Sequence, residues 1–269
     1  MPQATLDAIL ADTRRRVADL RPRASDLERL AAAASRPRRF ADALRGPAVG
    51  VIAEVKRRSP SAGAIAPDLD PVAHAAAYAR GGAVAVSVLT HESHFGGSLE
   101  DLERVAREVP VPALRKDFIL DELQLLEARA AGASAVLLIV RALAAARLRQ
   151  LARTARDLEL GVLVEVHTER ELDAALAVDP TALGVNSRDL ATFAIDLAVA
   201  ERLVARVPAG VPVVAESGIE ARADVERFAR AGADLVLVGT ALARTVDPAR
   251  AVEALCGVPR HRRPSEATR

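Results

Sequence analysis

A (β/α)8 TIM barrel preceded by a helical extension is the fold class the sequence predicts, and three observations predict it. Eight short apolar runs follow residue 48, an amphipathic helical pattern follows each run, and no G-x-G-x-x-G follows the first. Runs and helices alternating at roughly 20–35-residue intervals imply right-handed βαβ units and a parallel sheet. Eight units without a switch point favour closure into a barrel over an open doubly wound sheet. The missing glycine fingerprint weighs against a dinucleotide-binding fold.

The first 48 residues read as helices. LDAILADTRRRVADL (6–20) sets Leu6, Ile9, Leu10, Val17 and Leu20 at helical spacings, and Pro22 breaks the pattern. A second helix is expected from a Ser25 or Asp26 cap to Ser35, and a third over Phe40 to Leu44, before Gly46-Pro47 ends the segment. The eight runs are GVIAEV (50–55), AVAVSVL (83–89), VPALRK (111–116), AVLLIV (135–140), GVLVEV (161–166), ALGVN (182–186), VPVVAE (211–216) and DLVLVG (234–239). The glycines of ARGGA, RAAGA and RAGA stand where helix C-caps belong. No linker divides the chain, so residues 1–269 are expected to form one barrel domain, with 1–48 as an extension over the barrel mouth. The polar tail, 259–269, is expected to be disordered.

Bulk properties narrow the function. A net charge of +1 offers no global field for nucleic acid or a membrane surface. A single cysteine, Cys256, permits no internal disulfide and suits a reducing compartment. The N-terminus, MPQATLDAILADTRRR, carries acids and no apolar core of a secretory signal, and no apolar run approaches a membrane span, so a cytoplasmic location is expected.

In such a barrel chemistry sits at the C-terminal ends of the strands. Strand one ends with Glu54 and Lys56, whose equal parity turns both side chains the same way. Strand three ends with Lys116, strand five with Glu165, strand six with Asn186 and then Arg188, and strand seven with Glu216 and Ser217. One charge at a strand end is usually a solvated loop residue. A set that one topology gathers on one rim is harder to dismiss. Only two of the 37 basic residues are lysine, and both fall on this rim. Arginine holds its proton near neutral pH, whereas burial can lower a lysine pKa into the working range, so a site with a proton to move accepts lysine and refuses arginine.

Phosphate is the anionic handle expected. The turns SGIE (217–220) and GTALAR (239–244) follow strands seven and eight, the usual phosphate position of such barrels, and glycine there lets backbone N–H groups approach an anion. Ser59 adds a hydroxyl. His91 and His94 are spaced like two metal ligands, but HESH reads as a loop without a third ligand, and no metal site is expected. His167 reads as a rim or helix-start residue, Cys256 as packing, and the runs RRR (14–16) and RHRR (260–263) as solvated charge.

The same residues carry a family resemblance. IAEVKRRSPSAG, LRKDFI, LLIV, VEVH, GVNSRDLATFAIDL, VAESGI and LVGTAL, in this order, resemble the indole-3-glycerol phosphate synthases of tryptophan biosynthesis, over about residues 5–255. The resemblance implies a small phosphorylated substrate, 1-(2-carboxyphenylamino)-1-deoxyribulose 5-phosphate, and a carboxy-lyase that closes a ring and releases carbon dioxide and water without cofactor or metal. It implies Lys116 as the general acid of ring closure, Lys56 against the anthranilate carboxylate and Glu54 as its orienting or acid/base partner, the two lysine roles being exchangeable. Glu165 would serve dehydration as acid or base, Asn186 and Glu216 would hold hydroxyls and intermediates, and Arg188 would support the site. Phe95 and Phe118 would wall the ring pocket. Ser59, Ser217, Gly218, Gly239 and Thr240 would meet the phosphate. The sequence departs from the family pattern at Arg57, Arg58, Ala62 and Thr240, around the phosphate loops. Association with other tryptophan-pathway enzymes stays open. The alternatives are another phosphosugar barrel isomerase, which needs one acid and one base rather than two lysines and three glutamates, and a non-catalytic binding subunit, which needs no titratable lysine.

Overall fold

A computed structural model describes residues 5–263. Eight parallel strands close into a barrel: β1 Gly50–Val55, β2 Ala85–Leu89, β3 Ala113–Lys116, β4 Ala135–Ile139, β5 Gly161–Val166, β6 Ala182–Asn186, β7 Val213–Glu216 and β8 Leu235–Val238. Closure comes from β1, which pairs with β2 (Ile52 opposite Ala85) and with β8 (Gly50 opposite Leu235). Several strands begin one or two residues later than their apolar runs, because those first residues complete the preceding turn.

Period-two alternation divides the core in two. Val51, Ala53, Val86, Val88, Val162 and Val164 face outward into the layer shared with the surrounding helices. Ile52, Leu114, Leu137, Leu163, Val214 and Leu237 face inward and fill the lower barrel. Continuing the inward parity upward from Ile52, Leu114, Leu163 and Val214 gives Glu54, Lys116, Glu165 and Glu216. The apolar layer therefore ends where the charged layer starts.

The N-terminal extension does not lie wholly over the mouth. Helix α1 (Leu6–Leu20) reaches the C-terminal rim, where Arg16 donates to Asp117, just past β3, at 3.2 Å. A 3-10 turn, Arg21–Arg23, leads into α2 (Ala24–Ala33), on the barrel flank against the helix Glu122–Ala130. After it, Arg129 Nη1 donates to the Ser35 carbonyl at 2.8 Å. The short α3 (Phe40–Ala43) seals the opposite end, and Phe40 packs on Gly161 at the start of β5.

The tail is also ordered further than expected. Arg263 is buried: it donates to the Gly232 carbonyl, to the Val211 carbonyl at 2.7 Å and to Asp234 at 3.0 Å. Arg260 donates to the carbonyls of Ala48 and Leu44 at 2.9 and 2.8 Å. These arginines are not solvated tail charge. They satisfy carbonyls at the barrel bottom that would otherwise be buried without donors. Residues 264–269 lie outside the described residues.

Candidate active site

All the rim residues singled out from the sequence, from Glu54 to Thr240, line one cavity of about 350 Å³ at the C-terminal end of the barrel. Its floor is a charge cluster. Lys56 is in direct ion contact with Glu54, which is buried and also accepts from Ser87 Oγ at 3.3 Å. Across the barrel Lys116 Nζ lies 3.1 Å from Glu165 Oε2 and 3.3 Å from Glu216 Oε2. Glu216 Oε1 is buried without a hydrogen-bond partner among the described residues.

Two ammonium groups thus face three buried carboxyls at the cavity floor, and the protonation states follow. Burial alone would lower Lys116, but the charges of Glu165, Glu216 and Glu54 outweigh it and hold the ammonium above its ordinary value. The expectation of a lysine lowered into the working range is therefore corrected: this lysine keeps its proton until something stronger than a carboxylate asks for it. Burial opposes ionisation of Glu165 and Glu54 too, yet Lys116 and His167 keep Glu165, and Lys56 and Lys116 keep Glu54, below the usual carboxylate range. Glu216 is the carboxyl left over. Burial, with the like charges of Glu165 and Glu54 beside it, raises it to about 8. The group with a movable proton near neutral pH is an acid rather than a lysine.

The aromatic wall forms where expected. Phe95 and Phe118 lie 6.3 Å apart between centroids, tilted by 36°. Phe95 ends a helical turn, Glu92–Phe95, so HESH is not a loop: the Phe95 amide donates to the His91 carbonyl and the Gly96 amide to that of Glu92, with Gly96 in the left-handed region as C-cap. Ser59 sits on a short hairpin pairing Arg58–Ser59 with Gly63–Ala64, and its Oγ accepts from the Ala62 amide at 3.1 Å, which shapes the loop at the cavity edge. Asn186 Oδ1 accepts from the Arg188 amide at 3.0 Å, and Arg188 Nη1 donates to the Phe193 carbonyl at 3.1 Å, so both fasten the loop after β6. Ser217 and Gly218 both have left-handed φ, of 68° and 72°, which turns the chain sharply after β7.

Sequence reasoning missed several contributors. His167 is no mere rim residue: it is buried, with Nε2 3.2 Å from Glu165 Oε1 and Nδ1 3.6 Å from Glu171 Oε2. Burial would lower it, but these two carboxylates raise it to about 9, so it stands behind Glu165 as a second cation. Its parity with Glu165 was a visible signal. Gly184 was passed over inside β6, where a Cβ would collide with Glu216 Oε1. A glycine within a strand often marks such a close approach. At Gly239 a Cβ would meet Glu54 Oε1 at 2.5 Å. Arg244, in the turn after β8, adds a further cation to the lining.

The family profile described as indole-3-glycerol phosphate synthase matches residues 6–255. The chain is 50% identical over 231 residues to indole-3-glycerol phosphate synthase 2 of Streptomyces coelicolor, covering 86% of this chain and 90% of that one. It is 46% identical to the indole-3-glycerol phosphate synthase of Mycobacterium avium over 93% of both chains. Among solved structures it resembles a 3-hexulose-6-phosphate synthase, with a TM-score of 0.62 at 18% identity, covering 77% of this chain and 98% of that one. A thiamine phosphate pyrophosphorylase from Pyrococcus furiosus gives a TM-score of 0.57 at 20% identity, covering 77% and 93%. At such identities the structural likeness speaks to the fold alone.

Proposed function

The chain belongs to the indole-3-glycerol phosphate synthase family, and from that premise we propose how its rim residues divide the reaction. The activity is that of a carboxy-lyase of tryptophan biosynthesis, converting 1-(2-carboxyphenylamino)-1-deoxyribulose 5-phosphate into indole-3-glycerol phosphate. An isomerase or a non-catalytic subunit is not favoured.

In ring closure the aromatic carbon bearing the carboxylate bonds to the ketone carbon, and the ketone oxygen becomes an alkoxide. An alkoxide is a far stronger base than a carboxylate, so it can take the proton that Glu165 and Glu216 leave on Lys116. Lys56, oriented by Glu54, pairs with the substrate carboxylate until it leaves as carbon dioxide, and the electron pair released restores the aromatic ring. For dehydration, Glu165 acts as the base because Lys116 and His167 keep it ionised; it takes a proton from carbon as the hydroxyl departs, and the two leave as water. Loss of a carboxylate as neutral carbon dioxide consumes one proton, which reloads Lys116 from solvent. Glu216, still protonated, donates a hydrogen bond to a substrate hydroxyl, with Asn186 beside it.

Phe95 and Phe118 wall the anthranilate ring, and Arg188 supports the site. The phosphate occupies the end of the cavity formed by Ser59, Ser217, Gly218, Gly239 and Thr240. Helix α1 stands over the mouth and helps retain the substrate. Cys256 as the single cysteine supports a cytoplasmic, reducing setting, and the near-zero net charge supports a small-molecule partner rather than nucleic acid. Among the described residues no helix is long and apolar enough to cross a membrane.

Lys116 clasped by two carboxyls on the cavity floor is the observation that carries this division of roles. Mixing protein, substrate and EDTA and following indole fluorescence tests the activity directly, against low background because the chain contains no tryptophan. A saturable rise supports it. Substrate bound without turnover would return the binding subunit to favour.

A further inference from the structure

Beside the reaction centre, α1 meets the turn after β2, and there Asp12, His91 and His94 bring ligand atoms together, all within 4.8 Å of one another. Asp12 Oδ2 lies 3.8 Å from His91 Nε2 and 3.7 Å from His94 Nε2. Ligand atoms held about 2.0–2.1 Å from a tetrahedral zinc stand roughly 3.3 Å apart, so each imidazole is within about half an ångström of the required distance from Asp12, and a rotation of the partly exposed His94 ring closes the gap between the two imidazoles. The two imidazoles sit at i and i+3 around one helical turn, and their centroids are 5.0 Å apart. The missing third ligand of HESH is therefore supplied by a helix distant in sequence.

The surroundings suit ligation. His91 is completely buried, so its ring is held in one place against α1. Asp12 and His94 each keep about a fifth of their side chain exposed, which gives an ion a way in. Arg15 donates to Asp12 Oδ1 at 2.9 Å, Ser93 Oγ donates to Oδ2, and Thr13 Oγ1 lies 3.5 Å from His91 Nε2. Arg16, which also acts on His91, is drawn away towards Asp117. Arg15 is mostly exposed and free to swing out, and Ser93 has to give up one contact.

We propose that Asp12, His91 and His94 form a site for a late first-row divalent cation of the zinc class, with water completing the coordination, which fastens α1 to the barrel rim. Two imidazoles and a carboxylate with an open position match that class and not calcium or magnesium, which prefer all-oxygen shells. The site takes no part in the chemistry. Its consequence is mechanical: the His91 ring sits edge-on to both Phe95 and Phe118, at 6.2 and 6.3 Å, so an ion on its far nitrogen clamps the helix over the mouth and the aromatic wall together.

The test uses tag-free, EDTA-stripped protein titrated with Co2+, whose visible absorption reports coordination. One equivalent is expected to bind with the intense band of a four-coordinate nitrogen–oxygen site, to be displaced by Zn2+, and to raise Tm. His94→Ala, away from the reaction centre, is expected to lose the band and the rise in Tm while keeping its activity in EDTA. Asp12→Asn makes the same test from α1 should His94→Ala fail to fold. No stoichiometric binding, a six-coordinate spectrum, or a band kept in both variants would overturn the proposal.

Discussion

Arg115 and Lys116 are sequence neighbours, yet they end in opposite charge clusters, one on each face of β3. On the outer face Arg115 is wholly buried and fully engaged: it donates to Thr90 Oγ1 at 3.2 Å, to the Gln124 carbonyl at 2.6 Å, to Asp117 at 3.2 Å and to Glu127 at 3.1 Å. Arg16 adds a second cation to Asp117, so two guanidiniums meet two carboxylates. On the inner face two ammoniums meet three carboxyls, and Glu216 keeps an unpartnered oxygen and a proton. The outer cluster is balanced and holds structure. In the inner one Glu216 shares its cation, Lys116, with Glu165, and that imbalance keeps a proton within reach near neutral pH. Arginine, a planar fork that never gives up its proton, suits the first task, and lysine the second.

The sharpest way to break this contrast is to make the inner face resemble the outer. Lys116→Arg keeps the positive charge and removes the proton to give, so kcat is expected to fall ~10²–10⁴-fold, the usual scale of general acid catalysis, with the fold intact by circular dichroism. Retained kcat would refute the donor role. The converse change is Arg115→Met, which strands Asp117 and Glu127 in the outer cluster. Urea unfolding should show a loss of ~3–5 kcal/mol, as for other broken buried pairs, while turnover per folded molecule persists. A loss below about 1 kcal/mol would show that the cluster was not holding the fold.

The two clusters should also fail at opposite ends of the pH scale. Glu216 moves from an ordinary 4.5 to about 8 on folding, so only the folded state holds its proton between those values. Its contribution is complete below 4.5 and is lost as pH rises through about 8. Asp117 is lowered from 3.8: burial opposes its ionisation, but Arg115 and Arg16 overcome it. Its contribution is present above 3.8 and is lost as pH falls. Glu216→Gln should flatten the decline in stability towards pH 8, and Asp117→Asn the decline towards acid. Unfolding midpoints measured across pH check both, and an unchanged slope in either variant would remove that residue from the account. The smallest effect expected is from Arg16→Ala, which frees α1 at one part-exposed contact: KM rises about fivefold or less, the scale of ~1 kcal/mol, with kcat unchanged. A fall in kcat instead would place α1 in the chemistry rather than in substrate retention.

Much of the inner cluster was legible because it obeys local rules. The same-side parity of Glu54 with Lys56 follows from the pleat, and the barrel topology brings four strand ends to one rim. The outer cluster was not legible. Arg115 adjoins Lys116 in an arginine-rich sequence, and its partners, Thr90, Gln124, Glu127 and, through Asp117, Arg16, come from three separate stretches of chain. His167 was set aside although it shares the parity of Glu165, because a histidine at a strand end gains meaning only once Glu171 closes on its other side. The direction of the Lys116 shift was misjudged for a similar reason. Burial of one lysine is a local expectation, whereas three carboxylates around it are a property of the closed barrel.

The sequence by itself determined the barrel, the rim and the residue types on it, since periodicity and strand-end chemistry are properties of consecutive residues. Only the tertiary structure decided where the N-terminal helices lie, which carboxyl keeps its proton, and that Asp12 meets His91 and His94. Each of these depends on charges or backbones brought together from distant segments, and electrostatic energy depends on distance in space rather than along the chain.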